Sequence, residues 1–422
     1  MMSDYLLKSK IKELIQKKRF LVLVLVFFLF FQLIYSFLVP SCGLDNNWLH
    51  ATTYLAKFKV ESADNVLLDK FYPLISSEYR LNSDAGHYLE LAKNFTPEYF
   101  NGHVLLARPL YSFLIFLISL PIRFFTAPSY GIVFGLAIFL NFILLSLTVY
   151  LFFKLLEKLF SLKTAFLSSV LLIFSPFAHT ALVQPRADIL VAFTVTASVY
   201  LLFRYIKNPS ILKLVIFSLI IGILMLGKMF FAVLFFILLL AVYFKRYRQG
   251  IIFLISCLIP MGLWYLWITQ VWQIPYYIYD VQYYSGSSWL FHIFQWPWYQ
   301  TGRVLLAALP NFIQSLIYSF LLVPIIFSVI GFSRLPFKSK NIFYFGSIFS
   351  VFLLCFSIDA YFYRHTFLLF PIIYPTAILG IDRIAVFLKR RHPWHFPIFY
   401  ALAVGFIIFI SSINVYRIFG YL

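Results

Sequence analysis

Apolar runs of span length, divided by short clusters of lysine and arginine, recur from residue 20 to residue 414. A helix of about 20 apolar residues crosses the hydrocarbon core of a bilayer, because it rises about 1.5 Å per residue and the core is about 30 Å thick. Only 12% of the residues are charged while 62% are hydrophobic, which leaves too few polar residues to cover a soluble fold of this length. We therefore predict an all-α integral membrane protein with about eleven transmembrane helices, at 20–39, 130–153, 164–183, 187–206, 211–227, 229–244, 250–271, 304–331, 342–358, 366–388 and 396–414.

One further apolar run, at 104–125, is interrupted by Arg108, Pro109, Pro121 and Arg123. If this run does not cross, the lysine and arginine clusters of all the later loops fall on the same side as the basic N-terminus. If it crosses, every later cluster moves to the opposite side, against the positive-inside bias. We therefore predict a re-entrant or surface-lying helix pair here, as part of an outer loop.

The predicted topology makes the whole chain, 1–422, a single polytopic membrane domain. Residues 1–19 are a cytoplasmic N-terminus. Residues 40–129 form the first periplasmic loop, which has membrane-surface helices and holds eight of the fifteen acidic residues. Residues 272–302 form a second periplasmic loop that is dense in tyrosine and tryptophan, as is typical of a membrane interface. The usage of Phe, Ile and Lys suggests a bacterium, so we expect a multi-pass protein of the bacterial inner membrane.

Two functional classes are disfavoured by the charge and the cysteines. The net charge of +19 comes from the loop clusters, which topology explains, and no nucleic-acid-binding motif accompanies it. The three cysteines are far apart and form no CxxC pair, which disfavours a disulfide framework or a zinc site. We expect membrane lipids as partners and no nucleic acid, and the sequence identifies no protein partner.

The most informative stretch of the first loop is Ser83–Phe95. Apolar and aromatic residues follow a helical spacing, which predicts an amphipathic helix with one face formed by Tyr88, Leu91, Ala92 and Phe95. Ser83 is a suitable N-cap, and Asp84 then lies in the first turn, where the helix dipole favours a carboxylate. An ionised carboxylate at a membrane surface can act as a general base. The alternative is that Asp84 only stabilises the start of the helix.

Two further motifs belong to the same predicted side of the membrane. Arg108-Pro109-Leu110 opens the interrupted run, and Arg186-Ala187-Asp188 opens the span at 187–206. Arginine binds phosphate with two donors, so carboxylates beside these arginines indicate phosphate-ester chemistry. The alternative for Asp188 is a plain N-cap, with Pro185 just ahead of it.

Together these motifs resemble GT-C glycosyltransferases, and most closely the bacterial relatives of protein O-mannosyltransferases and of the lipid A aminoarabinose transferase. The resemblance begins with Asp-x-x-x-Tyr from Asp84 to Tyr88, then Leu-Ala-Lys, then Arg-Pro-Leu at 108–110. It continues with Gln-Pro-Arg-Ala-Asp at 184–188, Gly-Ile-Leu-Met-Leu-Gly-Lys at 222–228, and Tyr-Arg-His at 363–365, which is followed by Pro371.

The resemblance implies an inverting transfer of a sugar from a polyprenyl-phosphate donor to a lipid, polysaccharide or protein hydroxyl. It implies that Asp84 is the catalytic base. The candidates to hold the donor phosphate are Arg108, Arg186, Lys228 and Arg364. Lys228 and Arg364 have an alternative role as interfacial anchors. Further substrate-binding candidates are Tyr88, His87, Asp188, His365 and Asp280, the one acid of the aromatic loop.

The chain departs from the family pattern at three positions. Ala85 replaces a second acid, Pro109 stands alone where a Pro-Pro pair is usual, and His365 occupies a position where tyrosine is common. No cofactor is predicted by a motif. A divalent metal held by Asp84 and His87 remains an alternative, although one histidine beside one carboxylate is a sparse ligand set.

Three other functions stay open at this stage. A transporter or flippase would carry charged residues near mid-bilayer and would contain inverted repeats. Charges within the predicted spans are nearly absent, and we find no inverted repeat in the sequence. A polysaccharide polymerase or ligase tends to carry its largest polar loop late in the chain. A non-catalytic binder of lipid-linked sugars is compatible with the missing second acid.

Overall fold

The computed structural model of this protein describes residues 2–38, 83–100, 108–227, 246–274, 299, 310, 312–313, 316–317, 319–335, 366–391 and 395–412. Its regular elements within these ranges are helices, with no strand. The first loop and its surroundings supply α1 (Met2–Leu38), α2 (Ser83–Lys93), α3 (Pro97–Phe100) and α4 (Leu110–Arg123). The rest are α5 (Tyr130–Leu159), α6 (Leu162–Ile173), α7 (Pro176–Val183), α8 (Asp188–Lys207), α9 (Ile211–Met225), α10 (Tyr247–Leu266), α11 (Leu322–Phe332), α12 (Phe370–Arg391) and α13 (His395–Ser412).

Five of these segments are long and apolar enough to cross a membrane: Gln16–Ser36, Tyr130–Leu159, Asp188–Tyr205, Tyr247–Val271 and Phe367–Leu388. A sixth span is possible if α6 and α7 count as one broken helix. The all-α membrane fold is thus confirmed, whereas the count of eleven is not. The predicted spans at 211–227, 304–331 and 396–414 coincide with shorter apolar helices, and those at 229–244 and 342–358 lie outside the described residues.

The predicted span at 164–183 is not one straight helix. It breaks at Phe174 and Ser175 into α6 and α7, which are bent by 52°. The break has a local cause. Pro176 has no backbone N–H to continue α6, and the Ser175 side chain accepts a hydrogen bond from the Ala178 N–H, which caps a new helix.

The interrupted run at 104–125 contains one described helix, α4. Its 14 residues extend about 21 Å, less than the thickness of the hydrocarbon core. This length agrees with a segment that does not span. The expected partner helix would involve residues 101–107, which lie outside the described residues.

Helix α5 is the central element of the described bundle. It packs against α1, α2, α4, α6, α7 and α8, and most of its buried residues belong to one large apolar core. Its 30 residues extend about 45 Å, which exceeds the thickness of the hydrocarbon core. At least one end of α5 therefore projects beyond the hydrocarbon.

Charged residues meet at one end of this bundle. The Glu157 carboxylate lies 3.6 Å from Lys18 of α1 and 3.6 Å from Lys154, and Lys163 lies 3.0 Å from Asp382 of α12. All five come from segments that the sequence places on one side of the membrane. The structure therefore brings the predicted basic side together, while its cytoplasmic orientation stays a prediction.

Candidate functional site

Helix α2 lies at the end of the bundle opposite these ion pairs. It runs from Ser83 to Lys93, so Ser83, predicted as the N-cap, is its first residue. Of the predicted face, Tyr88, Leu91 and Ala92 are buried, whereas Phe95 lies two residues beyond the end of the helix and is half-buried. Ala85, which stands where the resemblance leads us to expect a second acid, is also buried. The backbone of Asp84 lies in the first turn of α2, and its side chain is outside the part of the chain that the structure describes.

Two contacts fix the start of α4 against α2. The Ser112 hydroxyl donates to the Tyr88 carbonyl oxygen at 3.0 Å. The rings of Tyr88 and Tyr111 meet edge to face, with centroids 5.2 Å apart. Tyr88 is one turn from Asp84 on the same face of α2, so the Asp84 turn lies next to Tyr111.

Tyr111 is joined to the bundle by a buried polar connection. Its hydroxyl donates to Asn141 Oδ1 at 2.6 Å. Asn141 Nδ2 in turn donates to the carbonyl oxygens of Ala181 at 2.6 Å and Gln184 at 2.9 Å. Ala181 lies in the last turn of α7, where carbonyl groups lack partners within the helix. One amide therefore joins α4, α5 and the end of α7.

The chain then turns from α7 into α8 through residues 184–188. Gln184 and Arg186 are 4% and 6% exposed, so both are buried in this turn. Ala187, and not Asp188, occupies the N-cap position, which places Asp188 in the first turn of α8. A carboxylate is favoured there by the helix dipole.

The surroundings of Tyr111 shift its pKa. Burial raises the pKa of Tyr111 well above its usual value and the neighbouring Tyr88 raises it further, while the hydrogen bond to Asn141 lowers it and the charge of Asp188 raises it. The protonated hydroxyl of Tyr111 is therefore the favoured form at this site.

The end of α9 meets the same site. The Leu110 N–H donates to the Leu226 carbonyl oxygen at 3.3 Å, which ties the Arg108–Leu110 segment to the residues just before Lys228. Gly227 packs so closely on Leu190 of α8 that a methyl group at this glycine would overlap the leucine side chain. Three sequence motifs that are distant in the chain thus converge.

Aromatic side chains hold α2 and α3 against the end of α10. Phe95 and Phe100 lie 6.1 Å and 5.3 Å from the ring of Trp272, measured between centroids. Phe100 also lies 6.4 Å from Trp264. The described start of the aromatic loop therefore packs on the acidic first loop.

The predicted site residues fall into two groups. His87, Arg108 and Asp188 are half-buried, and Tyr88 and Arg186 are buried, all around the convergence of α2, α4 and α8. Lys228, Asp280, Arg364 and His365 lie outside the described residues. The role of every one of these residues stays a prediction.

Sequence reasoning missed Tyr111 and Asn141 in this region, and it included Gln184 only as a member of the 184–188 motif, with no role of its own. The available signal was Asn141, the one side-chain amide within the apolar run at 130–153, because a polar group inside a span needs a partner. Its partners could not be named, since they are 30 and more residues away in the chain.

A second buried polar contact joins α1 to α7. Ser36 Oγ and His179 Nδ1 share a hydrogen bond at 2.9 Å, and Gln32 donates to the same hydroxyl at 3.4 Å. The ring of Tyr35 lies 5.8 Å from that of His179. This contact fixes the bent α7, and hence the turn that follows it, against the first helix.

Metal binding has no further support in the described ranges. Within them, no group of three or more His, Cys, Asp or Glu side chains is arranged to hold a metal ion. The predicted pairing of Asp84 with His87 lies outside the described residues, because it involves the side chain of Asp84.

Comparison with known proteins supports the resemblance found in the motifs. Residues 116–267 match the family model described as dolichyl-phosphate-mannose-protein mannosyltransferase. This stretch runs from the middle of α4 to the end of α10 and includes Asn141 and the 184–188 turn. No curated protein matches the chain. The family match confirms the resemblance to the GT-C superfamily and indicates a multi-pass membrane glycosyltransferase of the GT-C type.

Proposed function

We propose that this protein transfers a sugar from a polyprenyl-phosphate donor to a hydroxyl group of a lipid, polysaccharide or protein acceptor. The description of the matching family names a dolichyl-phosphate-linked sugar and a protein acceptor, and dolichyl phosphate belongs to the polyprenyl phosphates. We place the reaction on the periplasmic face of a bacterial inner membrane, following the charge distribution of the loops.

One observation carries the proposal beyond the family match. The Tyr111 ring contacts Tyr88, one turn from Asp84, and the Tyr111 hydroxyl binds Asn141, which in turn binds the Gln184 carbonyl oxygen at the start of the 184–188 turn. These contacts support the assignment of the acidic motif of the first loop and the acidic motif of α8 to one site. Arg186 is buried in the turn between α7 and α8. Its guanidinium is the cation that we assign to the donor phosphate.

In the proposed reaction Asp84 is the general base. The acceptor oxygen attacks the anomeric carbon from the face opposite the phosphate, and its proton passes to the Asp84 carboxylate. The bond between the anomeric carbon and the phosphate oxygen breaks, and polyprenyl phosphate leaves with that electron pair. Arg108 and Arg186 stabilise the charge that grows on the phosphate, and we assign the same role to Lys228 and Arg364.

The depth of the site suits a lipid-linked donor. Along α5, Asn141 is 13 residues, or about 20 Å, from Lys154 at the charged end. With a hydrocarbon core of about 30 Å, the Asn141 layer lies about two-thirds of the way across the core, about 10 Å from the opposite boundary. A polyprenyl chain can then stay among the acyl chains while its phosphate reaches the arginines.

Gln184 is a candidate to bind the donor sugar. Its side-chain oxygen Oε1 is buried, and no donor reaches it within the part of the molecule that the structure describes. A buried acceptor left unpaired costs about 1–3 kcal/mol, which a hydroxyl group of a ligand would offset. Sugar hydroxyls supply such a donor.

The test is sugar transfer in proteoliposomes with a panel of polyprenyl-phosphate sugars. We compare the wild type with Asp84→Asn, which keeps the size of the side chain and removes the base. Glu90→Gln is the matched control, because Glu90 is a half-exposed acid of the same helix. We expect Asp84→Asn to slow transfer by about 100-fold or more, and Glu90→Gln to stay close to the wild type.

Three outcomes would count against the proposal. If the wild type consumes no donor but moves a fluorescent lipid-linked sugar across the bilayer, the protein is a transporter. If it binds that lipid without consuming or moving it, the protein is a non-catalytic binder. Equal loss of activity in both variants would remove Asp84 from the role of base.

A further inference from the structure

We infer that Asn141 is a positioning residue that holds the 184–188 turn in register with α4, and that Tyr111 is its partner. The inference rests on the proposed function, since the turn carries Gln184, Arg186 and Asp188. Neither Asn141 nor Tyr111 belongs to the motifs that resemble the family pattern.

The side chain of Asn141 joins three parts of the fold. Its side chain is 0% exposed, and it uses its oxygen and its nitrogen for three hydrogen bonds of 2.6 to 2.9 Å. Its partners come from α4, from the last turn of α7 and from the first residue after α7. A buried amide with its bonds satisfied fixes the relative position of the elements that it joins.

Asn141 also fixes the start of the 184–188 turn. Asn141 binds the carbonyl oxygen of Gln184, the residue that directly follows α7 and caps its C-terminal end. The turn from Gln184 to Asp188 is short and its residues 184–187 are buried, so a shift at its first residue moves Arg186 as well. A misplacement of about 1 Å in a site can cost about 100-fold in rate.

Tyr111 links Asn141 to the first loop. The Tyr111 hydroxyl binds Asn141 while the Tyr111 ring contacts Tyr88, one turn from Asp84. The base of the proposed reaction and the groups assigned to the donor are therefore held in register through one buried pair of side chains. This is a positioning role, because neither Asn141 nor Tyr111 is assigned to contact the reacting atoms.

The experiment compares Asn141→Leu and Tyr111→Phe with the wild type. Thr148→Val is the matched control: Thr148 is a fully buried polar residue of the same helix, and its hydroxyl bonds to the Leu144 carbonyl within that helix. We measure the KM for the sugar donor and the hydrogen–deuterium exchange of the peptide covering residues 176–190. The KM distinguishes a positioning role from a simple loss of folded protein, because a smaller folded fraction lowers the total rate but leaves KM unchanged.

We expect Asn141→Leu to raise the donor KM about tenfold or more and to speed exchange of the 176–190 peptide about tenfold. Tyr111→Phe keeps the two bonds from Asn141 to the turn, so we expect a smaller change of the same sign. Thr148→Val should leave both quantities within about twofold of the wild type. If Asn141→Leu does not fold, Tyr111→Phe against Thr148→Val decides the question.

Unchanged exchange in both variants, with an active wild type, would overturn the inference and leave the proposed function standing. Faster exchange with a wild-type KM would also overturn it, because the hydrogen bonds would then serve the fold alone. A wild type that transfers no sugar from any donor overturns the proposed function, and the positioning role fails with it.

Discussion

The guanidinium of Arg123 closes the C-terminal end of α2 by donating from Nη2 to the Ala92 carbonyl oxygen at 2.8 Å. The same nitrogen reaches the Lys93 carbonyl oxygen at 3.0 Å, and Nε donates to Ser119 one turn earlier on α4. The last carbonyl groups of a helix lack partners within that helix, and a cation there complements the helix dipole. A single side chain of α4 therefore fixes the end of the helix whose first turn contains Asp84.

This relationship predicts the effect of Arg123→Gln. The glutamine cannot reach both carbonyl groups or supply the charge, so we expect the free energy of unfolding to fall by about 1–2 kcal/mol. Thermal unfolding in detergent measures the change. Arg204→Gln is the control, because the side chain of Arg204 is exposed on α8 and makes no hydrogen bond or ion pair with the described residues. Equal losses in the two variants would show that the cap adds nothing.

Tyr111 predicts a pH dependence. Its pKa in the folded protein is raised well above the usual 10.0, chiefly by burial, so above about pH 10 the unfolded chain loses this proton while the folded chain keeps it. Stability from this group is complete below that pH and declines as pH rises toward the folded pKa. We expect melting temperatures to fall from about pH 10 upward in the wild type, and less steeply in Tyr111→Phe. The control is Tyr247→Phe, at an exposed ring. Parallel curves for wild type and Tyr111→Phe would contradict the prediction.

The packing of α11 on α12 predicts intolerance to a methyl group at Gly331. A Cβ there would overlap the Thr376 carbonyl oxygen, and a Cβ at Gly380 would overlap the carbonyl oxygen of Phe327. Because the obstacle is backbone, we expect Gly331→Ala to lower the free energy of unfolding by about 2 kcal/mol or more. Gly262→Ala in α10 is the control, since no atom of the described residues lies within 4 Å of its Cβ position. We expect no loss there, and a gain of up to about 1 kcal/mol from helix propensity.

Gln184→Met should separate stability from donor binding. Methionine has a similar volume and keeps the backbone carbonyl that Asn141 binds, but it removes the buried side-chain oxygen that lacks a donor among the described residues. We expect the ligand-free protein to be as stable as the wild type, or more stable by about 1 kcal/mol, and the donor KM to rise about tenfold. Thermal unfolding and donor titration measure the two effects. A clear loss of stability with a normal KM would make Gln184 a structural residue.

Much of this molecule was predictable from local sequence. Helix α2 was predicted at its observed place, with three of the four residues of its predicted face buried, because apolar residues at helical spacing are a local signal. The fourth, Phe95, falls beyond the end of the helix at Lys93. The charged end of the bundle was predictable as well: Lys18, Glu157 and Lys163 lie in clusters that the positive-inside bias assigns to one side. The bend at Ser175 had a local signal too, the Ser-Pro pair, and it was overlooked because the apolar run continues through it.

The sequence by itself determined that the chain is an all-α membrane protein and that Asp84 lies in the first turn of a helix, because segment length, apolar content and helical period are properties of neighbouring residues. Only the tertiary structure decided that Tyr111, Asn141 and Gln184 meet. Those contacts join residues 30 or more positions apart, and they form because buried polar groups must find partners wherever packing brings a complementary group. The pattern of any one helix does not encode which partner that is.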